Sequence, residues 1–251
     1  MRSEAEGFFR ALRSAYETVL ICGPTVVDAA RHTMTMDRAD ERLELWSRRL
    51  LSVAEIQLTV SGRENYDPSK SYLLMSNHAS HFDVPVIFQA YKRPVRMVAK
   101  KELFAIPLFG SAMRAAGFPE LDRKDRKKAI AALDAGTALF AQGISLWIAP
   151  EGTRSRDGEM GSFKKGGFVL ALEHQLEILP VGLAGTHDVL VPGTVDVRKG
   201  VRVHAHFAAP IAPTAREYST EARDALMARV ERSLKDALAE ARNSLRASPN
   251  R

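Results

Sequence analysis

The sequence predicts an α/β fold: a mixed, largely parallel central sheet of about seven strands flanked by helices, preceded by an N-terminal amphipathic helical segment. Three observations carry this reading. Short apolar or alternating runs recur at 56–60, 71–76, 95–99, 118–121, 144–149, 178–183 and 201–207, the length of strands rather than helices. Between most of them lie stretches with apolar residues every three or four positions, as a helix with one buried face requires. Polar segments follow the strands, and in open α/β sheets ligands bind outside strand ends. At 251 residues the chain can bury a full core, and it divides at a change of pattern into a helical segment, 1–55, and an α/β domain, 56–251.

Within the first segment, Phe8, Phe9, Leu12, Tyr16, Val19 and Leu20 recur at helical spacing over 5–21. Gly23-Pro24 is expected to interrupt that helix, since proline lacks an amide donor. A second helix is expected over 40–54, where Leu43, Trp46, Leu50 and Val53 alternate with Arg48 and Arg49. Such a pair suits a membrane interface, and equally a cap over the domain's own core.

Ile56, Leu58 and Val60 alternate as an edge strand, and Ser61-Gly62 turns the chain. The strand 71–76 leads through a polar turn to a helix opened by Asp83 and Pro85. Val95 to Ala99 reads as a buried strand with Lys100 and Lys101 at its end. Residues 102–116 form a helix interrupted at Pro107 and closed by Gly117. After the short strand 118–121, a helix runs from Asp125 to about Gln142. Ile144 to Ala149 is a buried strand stopped by Pro150, and a polar loop, 151–158, precedes a helix from Gly166 to about Gln175. Two strands and a long C-terminal helix with Leu226, Val230, Leu234, Leu238, Ala241 and Leu245 on one stripe complete the order.

The chemistry concentrates in Ser76-Asn77-His78-Ala79-Ser80-His81-Phe82-Asp83. On a regular helix His78 and Asp83 would point about 140° apart, so they meet only if the chain turns between them. Pro85, which fits only a helix's first turn, places that turn before it. Once together, the Asp83 carboxylate can hold one imidazole nitrogen and leave the other as a base for a substrate hydroxyl. The same residues also serve as ordinary turn and cap groups, and His78, His81 and Asp83 make a candidate metal cluster that lacks supporting cysteines or histidines. Lys100, Lys101, Arg123 and Arg154 stand at the ends of other strands and together suit a phosphate. Gly152 and Thr153 let backbone amides approach the same oxygens.

Composition bounds the partners. Lys and Arg number 36 against 30 Asp and Glu, a net charge of +6, which suits an anionic surface or a phosphorylated substrate. Nucleic acid is not expected, because no zinc-finger spacing, aromatic RNA-binding strand or dense basic block is present. Neither G-x-G-x-x-G nor G-x-x-x-x-G-K-[ST] occurs, so no nucleotide loop competes for the phosphate role. Cys22 stands alone and fits a reducing compartment. No run of about 18 apolar residues spans a bilayer, and acids at Glu4 and Glu6 argue against a signal peptide.

Taken together, these segments resemble the lysophosphatidic acid acyltransferase family of glycerolipid acyltransferases. Asn77-His78 with Asp83 matches its His-x4-Asp motif. Lys101-Glu102-Leu103 through Pro107 and Gly110 to Asp122-Arg123 is similar to the second motif, Pro150-Glu151-Gly152-Thr153-Arg154-Ser155 to the third, and Ile178-Leu179-Pro180-Val181 to the fourth. Ala149 replaces the usual aromatic before the third, and Glu120-Leu121 stands where the family often has Ile. The resemblance covers about 110 residues and implies transfer of a fatty acyl group from acyl-CoA or acyl-carrier protein to lysophosphatidic acid. Other acceptors it leaves open are a different lyso-lipid, such as lyso-ornithine lipid or lysophosphatidylethanolamine, and glycerol 3-phosphate. It further implies His78 and Asp83 as the catalytic pair. Lys100, Lys101, Arg123, Glu151, Gly152, Thr153 and Arg154 would surround the acceptor phosphate, with no cofactor beyond the thioester co-substrate. The implied location is cytoplasmic, peripheral or monotopic on the inner face of an anionic membrane. A non-catalytic lipid-binding protein and a metal hydrolase are the remaining readings.

Overall fold

The computed structural model describes residues 2–122 and 136–247. Two helices, α1 (Arg2–Ala30) and α2 (Met36–Val53), come first. Six strands then form one sheet in the order β1-β8-β7-β2-β6-β3, with β1 Gln57–Ser61, β2 Leu73–Ser76, β3 Val95–Met97, β6 Ser145–Ile148, β7 Ile178–Ala184 and β8 Arg202–Phe207. Strands β7, β2, β6 and β3 run parallel, while β8 is antiparallel to β7 and parallel to β1. The sheet is therefore mixed and mostly parallel, with one strand fewer than expected. The difference lies at 95–99 and 118–121. After Met97 the chain leaves the sheet, and Ala99–Lys100 (β4) pairs instead with Glu120–Leu121 (β5) in a separate two-stranded ribbon.

The sheet is covered on both faces, which explains why β2 is buried at all four positions. Leu74 packs with Val86, Ile87, Phe88, Leu179, Val181 and Leu183 on the side of α3 (Asp83–Tyr91) and α2. Leu73 and Met75 pack on the opposite side with Phe168, Leu170, Leu226, Val230 and Leu234, from the helices Gly166–Glu173 and Thr220–Ala247. The C-terminal helix crosses β7 so closely that a Cβ at Gly182 would stand 2.3 Å from the Ala237 backbone. Only glycine allows that approach.

At the other side of the molecule Arg96 on β3 is fully buried and bonds Asp40 of α2 at 2.6 Å, and it lies over the Phe118 ring. Breaking such a pair leaves an uncompensated buried charge, so the contact fastens the helical segment to the sheet. Between α1, α2 and α3 lies a narrow apolar cavity whose wall includes Cys22, Leu43, Trp46, Val84, Phe88 and Phe109.

The expected break at Gly23-Pro24 does not occur: α1 continues to Ala30 with Pro24 inside it. Proline ordinarily disfavours helical backbone in the residue before it through a clash with that residue's Cβ, and Gly23 has none. Thr25 Oγ1 donates to the Ile21 carbonyl at 2.7 Å, within the turn that the proline weakens. The faces of α1 are also the reverse of a simple wheel reading. Gly7, Glu17, Cys22 and Thr25 point inward, whereas Phe8, Phe9, Leu12, Tyr16, Val19, Leu20 and Val27 are exposed. Glu17 is neutralised there by Arg13 and Arg49. No helix among the described residues is long and apolar enough to cross a membrane.

Elsewhere the order of elements agrees with the sequence reading, with a helical turn Lys101–Phe104 and a helix Phe109–Ala115 on either side of Pro107. The helix expected over 125–142 falls largely outside the described residues; its end appears as the short turn Phe140–Gln142.

Candidate active site

Because β7, β2, β6 and β3 are parallel, the segments after them emerge at one edge of the sheet. Strands β2 and β6 are neighbours, with Met75 opposite Ile148. The His78 turn consequently lies beside the Glu151 loop, and backbone bonds lock the two together. The Ser155 amide donates to the His78 carbonyl at 2.7 Å, and the His78 amide donates to Glu151 Oε1 at 2.9 Å. Asn77 fixes the other flank, exchanging bonds of 2.9 and 2.8 Å with the Leu183 backbone on β7.

The turn brings His78 and Asp83 together. Their Nδ1 and Oδ2 atoms are 2.6 Å apart, and the Ala79 and Ser80 amides donate to the same Oδ2 at 2.8 and 2.9 Å. A carboxylate only accepts, so Nδ1 is the donor, and in the neutral ring Nε2 then keeps its lone pair. Asp83 is completely buried, and its other oxygen, Oδ1, has no hydrogen-bond partner among the described residues. An under-satisfied buried carboxylate favours any positive charge that develops on its single strong partner. The His78 side chain remains 19% exposed. Its ring meets the Trp147 ring edge-to-face at 5.9 Å, and the Trp147 indole is itself held by Ser76 Oγ at 2.9 Å.

The remaining expected site residues divide. Arg154 is half-buried and Lys100 exposed, and among the described residues neither has a carboxylate partner. Both stand near His81, whose pKa is pushed down to about 4 by desolvation first, then by Arg154, His78 and Lys100, although the residue keeps solvent contact. Lys101 is paired with Asp122 at 2.7 Å. Gly152 adopts φ +71°, a conformation that suits glycine, and Thr153 is exposed. Arg123 lies outside the described residues.

Glu151 differs from the expectation that placed it around the phosphate. It is buried, and its oxygens accept from the amides of His78 and Gly161 at 2.9 and 2.8 Å. Burial raises its pKa against the lowering effect of those amides. Its observed contacts hold the two loops in register, and a carboxylate would repel a phosphate. Trp147, Ser76 and Ser80, whose hydroxyl donates to the Leu190 carbonyl at 2.8 Å, complete the support of the turn. Burial alone marked Trp147 in the sequence.

Comparison with known proteins gives a consistent picture. Residues 57–184 match the model of the Acyltransferase family. A 1-acyl-sn-glycerol-3-phosphate acyltransferase of Chlamydomonas reinhardtii is 34% identical over 68% of this chain and 52% of its own length. One from Borreliella burgdorferi is 30% identical over 70% of this chain and 68% of its own. The alpha form from Homo sapiens is 33% identical over 53% of this chain and 47% of its own. For several of these relatives, the chain spans only about half the relative's length. The crystal structure of the 1-acyl-sn-glycerophosphate acyltransferase PlsC from Thermotoga maritima superposes with a TM-score of 0.76, at 22% identity, over 99% of this chain and 100% of that one; this likeness is one of fold.

Proposed function

Since this chain belongs to the acyltransferase family, we propose that it moves a fatty acyl group from an acyl-thioester to the free hydroxyl of a phosphate-bearing lyso-lipid, lysophosphatidic acid being the favoured acceptor. The observation that carries this reading is the His78–Asp83 pair, with Lys100 and Arg154, which lack a carboxylate partner among the described residues, gathered around the neighbouring His81. In the proposed reaction His78 Nε2 takes the acceptor's hydroxyl proton as the oxygen attacks the thioester carbonyl. The C–O bond forms, the C–S bond breaks, and the imidazolium returns its proton to the departing thiolate. Asp83 keeps the ring oriented and opposes the charge it acquires. No covalent acyl-enzyme is formed.

Arg154 and Lys100 are assigned to the acceptor's phosphate, and Arg123 remains a candidate from the sequence. Charge-assisted bonds of this kind contribute roughly 1.5–3 kcal/mol each, equivalent to about tenfold to a hundredfold in affinity. Arg154→Ala should therefore raise KM for lysophosphatidic acid by at least about tenfold while changing KM for the donor little. Steady-state kinetics with both substrates varied, and with lyso-lipids lacking a phosphomonoester as controls, measure this. Equal loss for both substrates would remove Arg154 from the acceptor site. Transfer from no thioester to any lyso-lipid would remove the proposed function.

The exposed apolar face of α1, bordered by Arg13, supports peripheral seating on an anionic leaflet. Phe8→Gln, Phe9→Gln and Leu12→Gln together should weaken sedimentation with anionic vesicles without lowering Tm, because these side chains are exposed. Unchanged vesicle binding would count against the assignment.

A further inference from the structure

Among the described residues ten large apolar side chains are exposed, and seven of them belong to α1. Two of the other three, Ile106 at 47% exposure and Val195 at 61%, stand on loops that lead directly into contacts with that helix. The first loop opens the helix Phe109–Ala115, which lies on α1 and shares a cavity wall with its Thr18, Ile21 and Thr25. The second is fastened to the start of α1. Arg10 Nε donates to the Val197 carbonyl at 2.6 Å, and the Val197 amide donates to the Gly7 carbonyl at 3.4 Å. Gly7, with no Cβ, admits Asp196 against it.

The loop at Ile106 is built to hold its tip outward. Ala105, Ile106 and Pro107 are exposed in succession, a run of apolar surface that has no place on a water-facing loop without a use. Leu108 takes φ +64° and ψ −53°, and the Phe109 amide donates back to the Pro107 carbonyl at 2.7 Å. This is a γ-turn of the rare, strained kind. Its neighbours keep it so. A Cβ at Gly110 would stand 2.1 Å from the Phe104 carbonyl oxygen, so the backbones on the two sides of the turn touch. Arg114 donates to the same carbonyl at 3.2 Å and lies over the ring of Phe104, which is buried. Neither backbone strain nor exposed apolar surface stabilises the fold, and both point to a use outside the molecule.

Cations border these tips. Arg198 and Lys199 follow Val195, exposed and held only by long pairs of 3.9 and 3.8 Å to Asp196 and Glu55. Lys100 stands at the foot of the other loop, before the one-turn helix Lys101–Phe104, which is roughly 6 Å long. The apolar stripe on α1 runs from Phe8 to Val27, roughly 28 Å of helix. A protein partner would need a surface matching the whole stripe and both tips. A fluid leaflet fits itself to them, and its anionic headgroups meet the cations.

We infer that the turn 105–108 and the tip at Val195 are lipid contacts separate from α1, and that the three together fix how the domain is rolled on an anionic leaflet. A helix lying alone in a membrane interface is free to turn about its own axis. Contacts beside it prevent that. With Ile106 and Pro107 sunk by the about 5–10 Å usual for interfacial segments, the short helix behind them leaves Lys100 at the level of the headgroup phosphates. An acceptor then meets Lys100 without leaving its own depth. The inference rests on the peripheral seating proposed above and adds the elements that orient it.

Cys22 is the chain's one cysteine, and burial both shields it and pushes its thiol up to about 11, so a cysteine introduced at the surface is labelled alone. A polarity-sensitive fluorophore is placed on Phe9→Cys, Ile106→Cys, Val195→Cys and, as a control, Tyr218→Cys in the full chain. Tyr218 is also exposed but precedes the helix that covers the other face of the sheet. Vesicles of phosphatidylcholine and phosphatidylglycerol should shift the first three labels to the blue, and bromine on the lipid acyl chains should quench them, while the label at 218 stays in water. Ile106→Gln and Val195→Gln should each weaken vesicle partitioning by about fivefold with Tm unchanged. A label at 106 or 195 that stays in water while the label at 9 moves would overturn the inference and leave α1 as the sole seat. So would a shift of all four labels alike, which marks adsorption without orientation, or unchanged partitioning in both variants. A shift that appears without vesicles as protein concentration rises would put a second copy on these tips and overturn it equally. If the label at 9 also stays in water, the peripheral seating itself fails, and this inference with it.

Discussion

His78→Ala is expected to lower acyl transfer by about 10³-fold or more, the range a positioned general base supplies, while the protein stays folded. The imidazole contributes a ring edge against Trp147 to the core, but the bonds that tie this turn to its neighbour are made by the His78 main chain. Alanine keeps those. The variant should therefore retain its thermal unfolding profile and its KM for both substrates while losing kcat. Activity within about tenfold of the unaltered enzyme, well short of what a base contributes, would show that another group removes the proton.

Asp83 gives the second large effect, and its two substitutions separate what the carboxylate does. Two backbone amides point at Oδ2, so an asparagine is expected to place its carbonyl oxygen there and keep Nδ1 of His78 as the donor. The tautomer survives, and what is lost is the negative charge opposite the imidazolium. A hydrogen bond to a charged group contributes roughly 1.5–3 kcal/mol against about 0.5–1.5 for a neutral one, a difference of roughly 1–1.5 kcal/mol, so Asp83→Asn should cut kcat by about 5- to 10-fold. Asp83→Ala removes the acceptor altogether. The imidazole is then free to adopt the other tautomer, which costs about 10⁴-fold in a comparable triad. It also leaves two buried amides unpaired at about 1–3 kcal/mol each, which lowers Tm. Equal kcat losses in the two variants, with equal Tm, would show that charge and tautomer are not separate contributions here.

Much of this arrangement was legible in the sequence, for physical reasons. A buried β2 followed by a polar turn and Pro85 constrains where His78 and Asp83 stand, because few backbone paths join those elements. The parallel strands then bring the segments with Lys100 and Arg154 to the same edge. Other features depend on contacts that residue type does not encode. The two-residue ribbon β4–β5 is too short to show a period, and nothing in its residues separates it from the main sheet. Gly23-Pro24 looks like a break until the missing Cβ at Gly23 is set against its place in a packed helix. Glu151 reads as a site residue by position, yet the fold turns it inward to two backbone amides. On α1 the larger apolar side chains face outward because small residues such as Gly7 allow the close approach on the inner side, where Asp196 lies in contact.

The account turns on an imidazole whose buried nitrogen is protonated and whose outer nitrogen is bare before substrate arrives. Nitrogen-15 NMR of histidine-labelled protein, with His78 assigned by comparison with His78→Ala, reads that tautomer directly at neutral pH. The expected spectrum has Nδ1 protonated, its proton shifted far downfield by Asp83, and Nε2 unprotonated. A resting His78 carrying its proton on Nε2 would contradict the proposed base and the mechanism built on it.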